Sequence, residues 1–279
     1  MSIRKFIPTT IMIPAIAIGA FTMYQHHVPM GICIQNIACL VFMSLISMIL
    51  FTGKISIFES SHRKFLLPIC LFLLVVTLVS QGMEGVHRWI SIGFIRLNIA
   101  MIVIPIIFIE LWYVLKTKGV NFAWVIAFLV ILLLYFQPDA SQLTGFALPL
   151  VVMLCLSVNG KVIRFFMISI FSMFIVLSWV FLDTLPPVAY VEGILKMAAD
   201  VGLPWLISGI LSLVALPIPF LLFPPKNEEI LSKCIGFYFA IVIISAFFGN
   251  FPVPLVGYGI SPIVGYFISF MWYLNSKYV

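Results

Sequence analysis

Residues 120 to 139 read VNFAWVIAFLVILLLYFQPD. Positions 120 to 136 carry no charged side chain, and one helical crossing of a bilayer needs about 20 predominantly apolar residues. Lys116 and Lys118 precede the run, and Gln137-Pro138-Asp139 close it on the opposite side. The same alternation of apolar run and short polar break fills the whole 279-residue chain, which is 63% hydrophobic, 15% aromatic and 9% charged. So little polar material cannot clothe a soluble globular domain. Ten apolar stretches are expected as spans, at 6 to 24, 30 to 52, 65 to 83, 98 to 115, 120 to 136, 143 to 158, 163 to 182, 203 to 224, 234 to 249 and 253 to 275. They leave no room for a second domain, so residues 1 to 279 are expected to form one all-α, polytopic integral membrane domain.

An even number of spans places both termini on one side, and the positive-inside bias tests the count. With the N-terminus cytoplasmic, the inner side collects Arg4, Lys5, Lys54, Arg63, Lys64, Lys116, Lys118, Lys161, Arg164, Lys226, Lys233 and Lys277, 12 of the 15 basic residues. The outer side holds Arg88, Arg96 and Lys196. Five of the nine acids, Glu84, Asp139, Asp183, Glu192 and Asp200, are also outer; Glu59, Glu228 and Glu229 are inner, and Glu110 lies within a span, where an acid is neutral or paired. Polar chemistry is therefore concentrated in the outer loops 83 to 97, 137 to 142 and 183 to 202. A cation on the translocated side opposes the orientation signal, so Arg88, Arg96 and Lys196 call for an anionic ligand or an internal acid partner.

The net charge of +6 is accounted for by topology and does not point to nucleic acid. Cys33, Cys39, Cys70, Cys155 and Cys234 lie in or at the ends of apolar stretches, with no CxxC or metal-ligand spacing, and read as buried free thiols. The basic start at Arg4 and Lys5 resembles a signal peptide. The apolar run continues to Tyr24 without a small-x-small cleavage site, so it is kept as the first span. Pro14, Pro68, Pro105, Pro149, Pro217 and Pro219 fall inside spans and predict kinked or broken helices. His26 and His27 form a lone pair in a short outer loop with no assigned role. No P-loop, GxGxxG, HExxH or nucleophile elbow is present, which argues against soluble-type nucleotide chemistry.

Three outer patches, in a fixed order, resemble the SEDS family (shape, elongation, division and sporulation), the peptidoglycan polymerases of RodA and FtsW type. Gly85-Val86-His87-Arg88-Trp89-Ile90-Ser91-Ile92-Gly93 is similar to that family's G-x-x-R-W-I-x-L-G. Gln137-Pro138-Asp139 is similar to its Q-P-D-L-G-T, and Pro252-Val253-Pro254-Leu255-Val256-Gly257-Tyr258-Gly259-Ile260-Ser261 to its P-L-P-F-x-S-Y-G-G-S-S. The chain also departs from the family. Where the family continues with Q-P-S-E it reads Asn98-Ile99-Ala100-Met101, and the long outer segment with S-G-G-x-x-G-K-G is missing. In the fourth outer loop the family carries H-T-D-F-I-F-A-x-x-x-E-E-L-G, whose aspartate is the proposed catalytic residue. An ungapped register lays Glu192 on that aspartate and Asp200 on the first glutamate, eight residues on in both; anchoring on Leu185-Pro186 lays Val191 there instead.

The resemblance implies a bacterial cytoplasmic (inner) membrane protein that polymerises lipid II, a polyprenyl-linked disaccharide, on the outer face during division, elongation or sporulation. Its implied partners are membrane lipids and a class B penicillin-binding protein transpeptidase. The chemistry needs a carboxylate base, cations for the leaving pyrophosphate and a groove for the lipid. Glu192 is the candidate base, Asp200 and Asp139 orienting or metal-binding partners, Arg88 and Lys196 pyrophosphate clamps, and Trp89 and Tyr258 substrate contacts; a divalent cation is kept open as cofactor. Each has a plainer reading: Glu192 and Lys196 as a solvated i,i+4 pair, Asp139 as a helix cap, Trp89 as an interfacial anchor, Tyr258 as a packed helix entry. The alternative function is a catalytically inactive scaffold that binds lipid II or the transpeptidase. A transporter is a third reading, for which no inverted repeat is visible.

Overall fold

The computed structural model of the protein describes residues 7–53, 60–93, 95–182 and 185–278. Arg4, Lys5, Lys54, Glu59 and Asp183, used above to count charge by side, lie outside the described residues. The chain runs α1 Ile7–Thr10, α2 Ile13–Gln25, α3 Met30–Gly53, α4 Ser60–Val79, β1 Trp89–Ile92, β2 Ile95–Asn98, α5 Ile99–Lys118, α6 Val120–Phe136, α7 Ala140–Leu156, α8 Lys161–Val180, α9 Ile194–Val201, α10 Leu203–Ala215, α11 Ile218–Leu222, α12 Glu229–Phe248 and α13 Ile260–Tyr278. Among the described residues five helical stretches are long and apolar enough to cross a membrane: Met30–Leu50, Ile99–Lys118, Lys161–Val180, Leu203–Leu222 and Glu229–Phe248. Ile13–Gln25, Val120–Phe136 and Ala140–Leu156 are shorter apolar helices. The protein is a helical membrane protein.

Local chemistry sets the boundaries. Asn98 starts α5 by accepting the Met101 N–H on its side-chain oxygen, and Lys116 and Lys118 in the last turn complement the carbonyl end of the helix. Gly119, at φ +86°, ends α5 and turns the chain into α6. Asp139 caps α7, which therefore begins at Ala140, three residues before the expected span. Leu216 and Pro217 interrupt the stretch 203 to 224 into α10 and α11, a break of the kind the prolines predicted.

α5 is the central helix, packed by α4, α6, α7, α12 and α13, whereas α8 buries little beyond Met167, Phe171 and Ser178 and leaves most of its apolar side chains exposed. Within the bundle Glu110 of α5 is paired, as an acid inside a span must be: Arg63 of α4 meets it at 3.2 Å and lies 4.5 Å above the Tyr113 ring. Cys33, Cys70 and Cys234 are buried, Cys39 and Cys155 half-buried, and all five are free. α5 and α13 approach closely at Gly265, where a Cβ would stand 2.0 Å from the Met101 carbonyl oxygen. Gly265→Ala should lower the thermal unfolding midpoint in detergent, because backbone cannot yield cheaply and overpacking costs about 1–3 kcal/mol. Gly31→Ala, whose Cβ meets nothing within 4 Å, should leave it unchanged.

The expectation of an exclusively helical chain needs correction between α4 and α5. Trp89-Ile90-Ser91-Ile92 and Ile95-Arg96-Leu97-Asn98 form a two-stranded antiparallel hairpin. Its β-branched and aromatic residues suit a pleated, half-buried surface, and Gly93 at φ +60° serves the turn. The 183 to 202 loop likewise contains α9, with Ile194, Met197 and Ala198 buried.

Candidate functional site

The hairpin is anchored from below. Arg88, 3% exposed, donates from Nε to the Gln137 carbonyl at 3.3 Å and from a terminal guanidinium nitrogen to the Pro138 carbonyl, with Nε 3.7 Å from Asp139 Oδ2. Asp139, 1% exposed, accepts the Gln142 N–H at 3.2 Å on one oxygen and the Asn98 amide at 3.4 Å on the other. The Asn98 N–H donates to Ser261 Oγ at 2.9 Å. Gln137 donates its side-chain amide to Thr77 Oγ1 at 2.6 Å and to the Leu74 carbonyl. One buried polar hub therefore ties the hairpin to α4, α5, α7 and α13. Asp139 acts here as helix cap and ion-pair partner together.

Above the hub lies a cavity of about 350 Å³. Its walls come from the hairpin and the residue before it (Arg88, Trp89, Arg96, Asn98), the turn before α9 (Tyr190, Val191, Glu192), and the segment leading into α13 with that helix's first turn (Pro252, Tyr258, Ser261). Two of the three patches that carried the resemblance, and the loop aligned with the catalytic segment, meet at this one space; Gln137-Pro138-Asp139 lies behind it. Of the expected site residues, Arg88, Trp89, Glu192 and Tyr258 line the cavity. Lys196 and Asp200 are exposed on α9 and do not line it.

The electrostatics differ from expectation at two points. Glu192 precedes α9, so the helix face it was to share with Lys196 does not exist. Glu192 Oε2 instead accepts the Val188 N–H at 2.7 Å, which fixes the carboxylate on its own turn. Arg88, expected to clamp pyrophosphate, spends donors on Gln137 and Pro138 and its charge on Asp139. Arg96 lines the cavity with an exposed guanidinium that touches the Met83 sulfur at 3.0 Å. From sequence, Arg96 stands only as one of three cations expected on the outer side, with no place in the site. The alternation of the strand, with Arg96 opposite Ser91, was the signal that could have separated it from Arg88.

Tyr258 donates its hydroxyl to Gln35 Oε1 at 2.6 Å, and its ring meets Tyr190 edge-on at 5.9 Å. Burial pushes the Tyr258 hydroxyl up from its ordinary value, with Tyr190 adding to the rise and the Gln35 hydrogen bond and Arg96 opposing it. It stays protonated at neutral pH and serves as a donor, not a base. α9 is secured by His26, given no role from sequence, whose Nε2 lies 2.8 Å from the Met197 carbonyl. Among the described residues, Glu84 and Glu192 are the acids on the cavity wall, and no group of three or more His, Cys, Asp or Glu side chains could hold a metal ion.

No protein-family model matches the chain, and no curated protein matches it. Solved structures do. The crystal structure of the rod shape determining protein RodA of Thermus thermophilus matches with a TM-score of 0.69, over 98% of this chain and 97% of that one, at 16% identity. A mutant form of the same protein matches with a TM-score of 0.70, over 98% of both chains, at 14% identity. The chain has the RodA fold. That agrees with the SEDS resemblance of the outer patches, and almost the whole of each chain takes part.

Proposed function

We propose that this RodA-fold protein is a SEDS-type glycosyltransferase that polymerises lipid II on the outer face of the bacterial cytoplasmic membrane. In this reading α2 to α8, the α10–α11 pair, α12 and α13 make ten crossings, with both termini cytoplasmic; the placement of basic residues by side supports that count. The observation that carries the reading is the convergence of three distant outer segments on one cavity holding a carboxylate, a guanidinium and aromatic rings.

The reaction assigns each a task. The acceptor sugar hydroxyl attacks the anomeric carbon of the donor and gives its proton to Glu192. The new glycosidic C–O bond forms as the bond from the anomeric carbon to pyrophosphate breaks, and the leaving polyprenyl pyrophosphate carries away the bonding pair. Arg96 meets the charge that develops there. Val191 offers no proton acceptor, so Glu192 is the acid this turn brings to the cavity in either register. Trp89, Tyr190 and Tyr258 supply apolar faces with polar edges, as small-molecule sites commonly do. Arg96→Ala should lower kcat on the order of 10²-fold with the unfolding midpoint unchanged, as loss of a charge-stabilising donor does.

One observation favours the scaffold reading. Met101 lines the cavity at the position where the resemblance places a glutamate, so one acid of the family pattern is absent from the wall. The deciding experiment is incubation of the purified protein in detergent with lipid II, with and without a divalent cation and a class B penicillin-binding protein. Glycan strands support the polymerase. Lipid II binding without product under every condition supports the scaffold.

A further inference from the structure

The carboxylate of Glu192 sits on a turn with no rigid element of its own, yet that turn is held at several points by one neighbouring loop. The Val253 N–H donates to the Val191 carbonyl at 3.3 Å and the Tyr258 N–H to the Tyr190 carbonyl at 2.8 Å. Gly257 allows the approach: a Cβ there would stand 2.5 Å from the Val191 carbonyl oxygen. The loop has unfavourable backbone of its own, with Leu255 at φ +64°, while Gly259 at φ +148° takes a conformation that other residues rarely adopt, so something outside the loop must hold its shape.

Asn36 does so. It lies in the second turn of α3, fully buried, and uses both ends of its amide on this loop. Nδ2 donates to the Gly257 carbonyl at 2.9 Å, and Oδ1 accepts the Gly259 N–H at 3.1 Å. The pair fixes the amide orientation, since only one flip state satisfies both contacts. A carboxamide buried in an apolar helix is costly unless both functions are satisfied, and here both are satisfied by one loop. Gln35 beside it accepts the Tyr258 hydroxyl.

We propose that Asn36 is a positioning residue, a clamp from α3 on the 253 to 259 loop that sets where Glu192 stands in the cavity. The use of that position in polymerisation rests on the function proposed above; the clamp itself does not.

Amide hydrogen exchange of the full chain in detergent tests it. Asn36→Leu should speed exchange at residues 188 to 193 and 253 to 259 by at least about tenfold, since it removes two buried hydrogen bonds, while α5 and α7 keep wild-type rates. A merely structural role would instead raise exchange throughout the bundle. Should Asn36→Leu fail to fold, Asn36→Asp decides, because it keeps the acceptor for Gly259 and loses the donor to Gly257; the same two segments should again exchange faster. Wild-type rates at 188 to 193 in a folded variant overturn the clamp, as does uniform acceleration. With lipid II as probe, the clamp predicts a fall in kcat with KM changed by less than about threefold, because the base is displaced and the bulk of the binding surface is not. A wild-type protein that makes no glycan overturns the polymerase reading, and exchange alone then decides the clamp.

Discussion

Glu192→Gln is expected to reduce glycan synthesis from lipid II by about 10²–10⁴-fold, the range for loss of a positioned general base. The substitution is nearly isosteric, and an amide oxygen still accepts the Val188 N–H, so the turn should keep its shape. Lipid II binding and the unfolding midpoint should therefore stay at wild-type values, while product formation collapses. Gel analysis of glycan strands together with a binding titration separates the outcomes. Retained polymerisation would remove Glu192 from the chemistry, and Glu84, the other acid on the wall, would be next to examine.

The second large effect concerns stability. Arg88→Ala should destabilise the fold by about 3–5 kcal/mol, because it leaves the Asp139 charge buried and uncompensated. It also strips the Gln137 and Pro138 carbonyls of their donor. Arg88→Lys should recover only part of the loss, since an ammonium cannot reproduce the planar fork that reaches two carbonyls and a carboxylate at once. Arg88→Ala combined with Asp139→Ala should cost less than the sum of the two single changes, because no lone charge is then left inside. Thermal unfolding in detergent measures all four variants against wild type. An additive double mutant would mean that the two side chains act independently, contrary to their 3.7 Å separation.

Much of the architecture was legible in order along the chain. The charge-free run at 120 to 136 is α6, bounded within a residue of expectation, because hydropathy over such a length leaves no competing solution. Helix starts were harder. α7 begins early through the Asp139 cap, and α12 begins at Glu229, five residues before its apolar run, since a polar first turn can stand in the interface outside hydrocarbon. The hairpin escaped notice because two four-residue strands carry a weak pattern beside 20-residue helices.

The site was half legible. The three motif patches and Glu192 could be quoted from the chain. Arg88 and Arg96, however, are alike in the sequence, both outer cations in one loop. Folding separates them: both reach the cavity wall, but Arg88 is buried and paired with Asp139 beneath the hairpin, whereas Arg96 keeps an exposed guanidinium. Ser261 and Asn36 carry no local mark of importance, and Asn98 reads locally only as the cap of α5; each matters at the site through a partner 41 to 223 residues away.

By itself, then, the sequence determined a membrane-embedded helical chain, its orientation signal and the segments bearing polar chemistry, because hydrophobicity and charge act residue by residue against the bilayer. Only the tertiary structure decided which cation on the cavity wall is buried against an acid and which stays exposed, which acid is consumed in an ion pair and what holds the Glu192 turn. Those outcomes depend on hydrogen-bond partners that segments far apart in sequence supply when they meet in space, under the requirement that buried polar groups be satisfied.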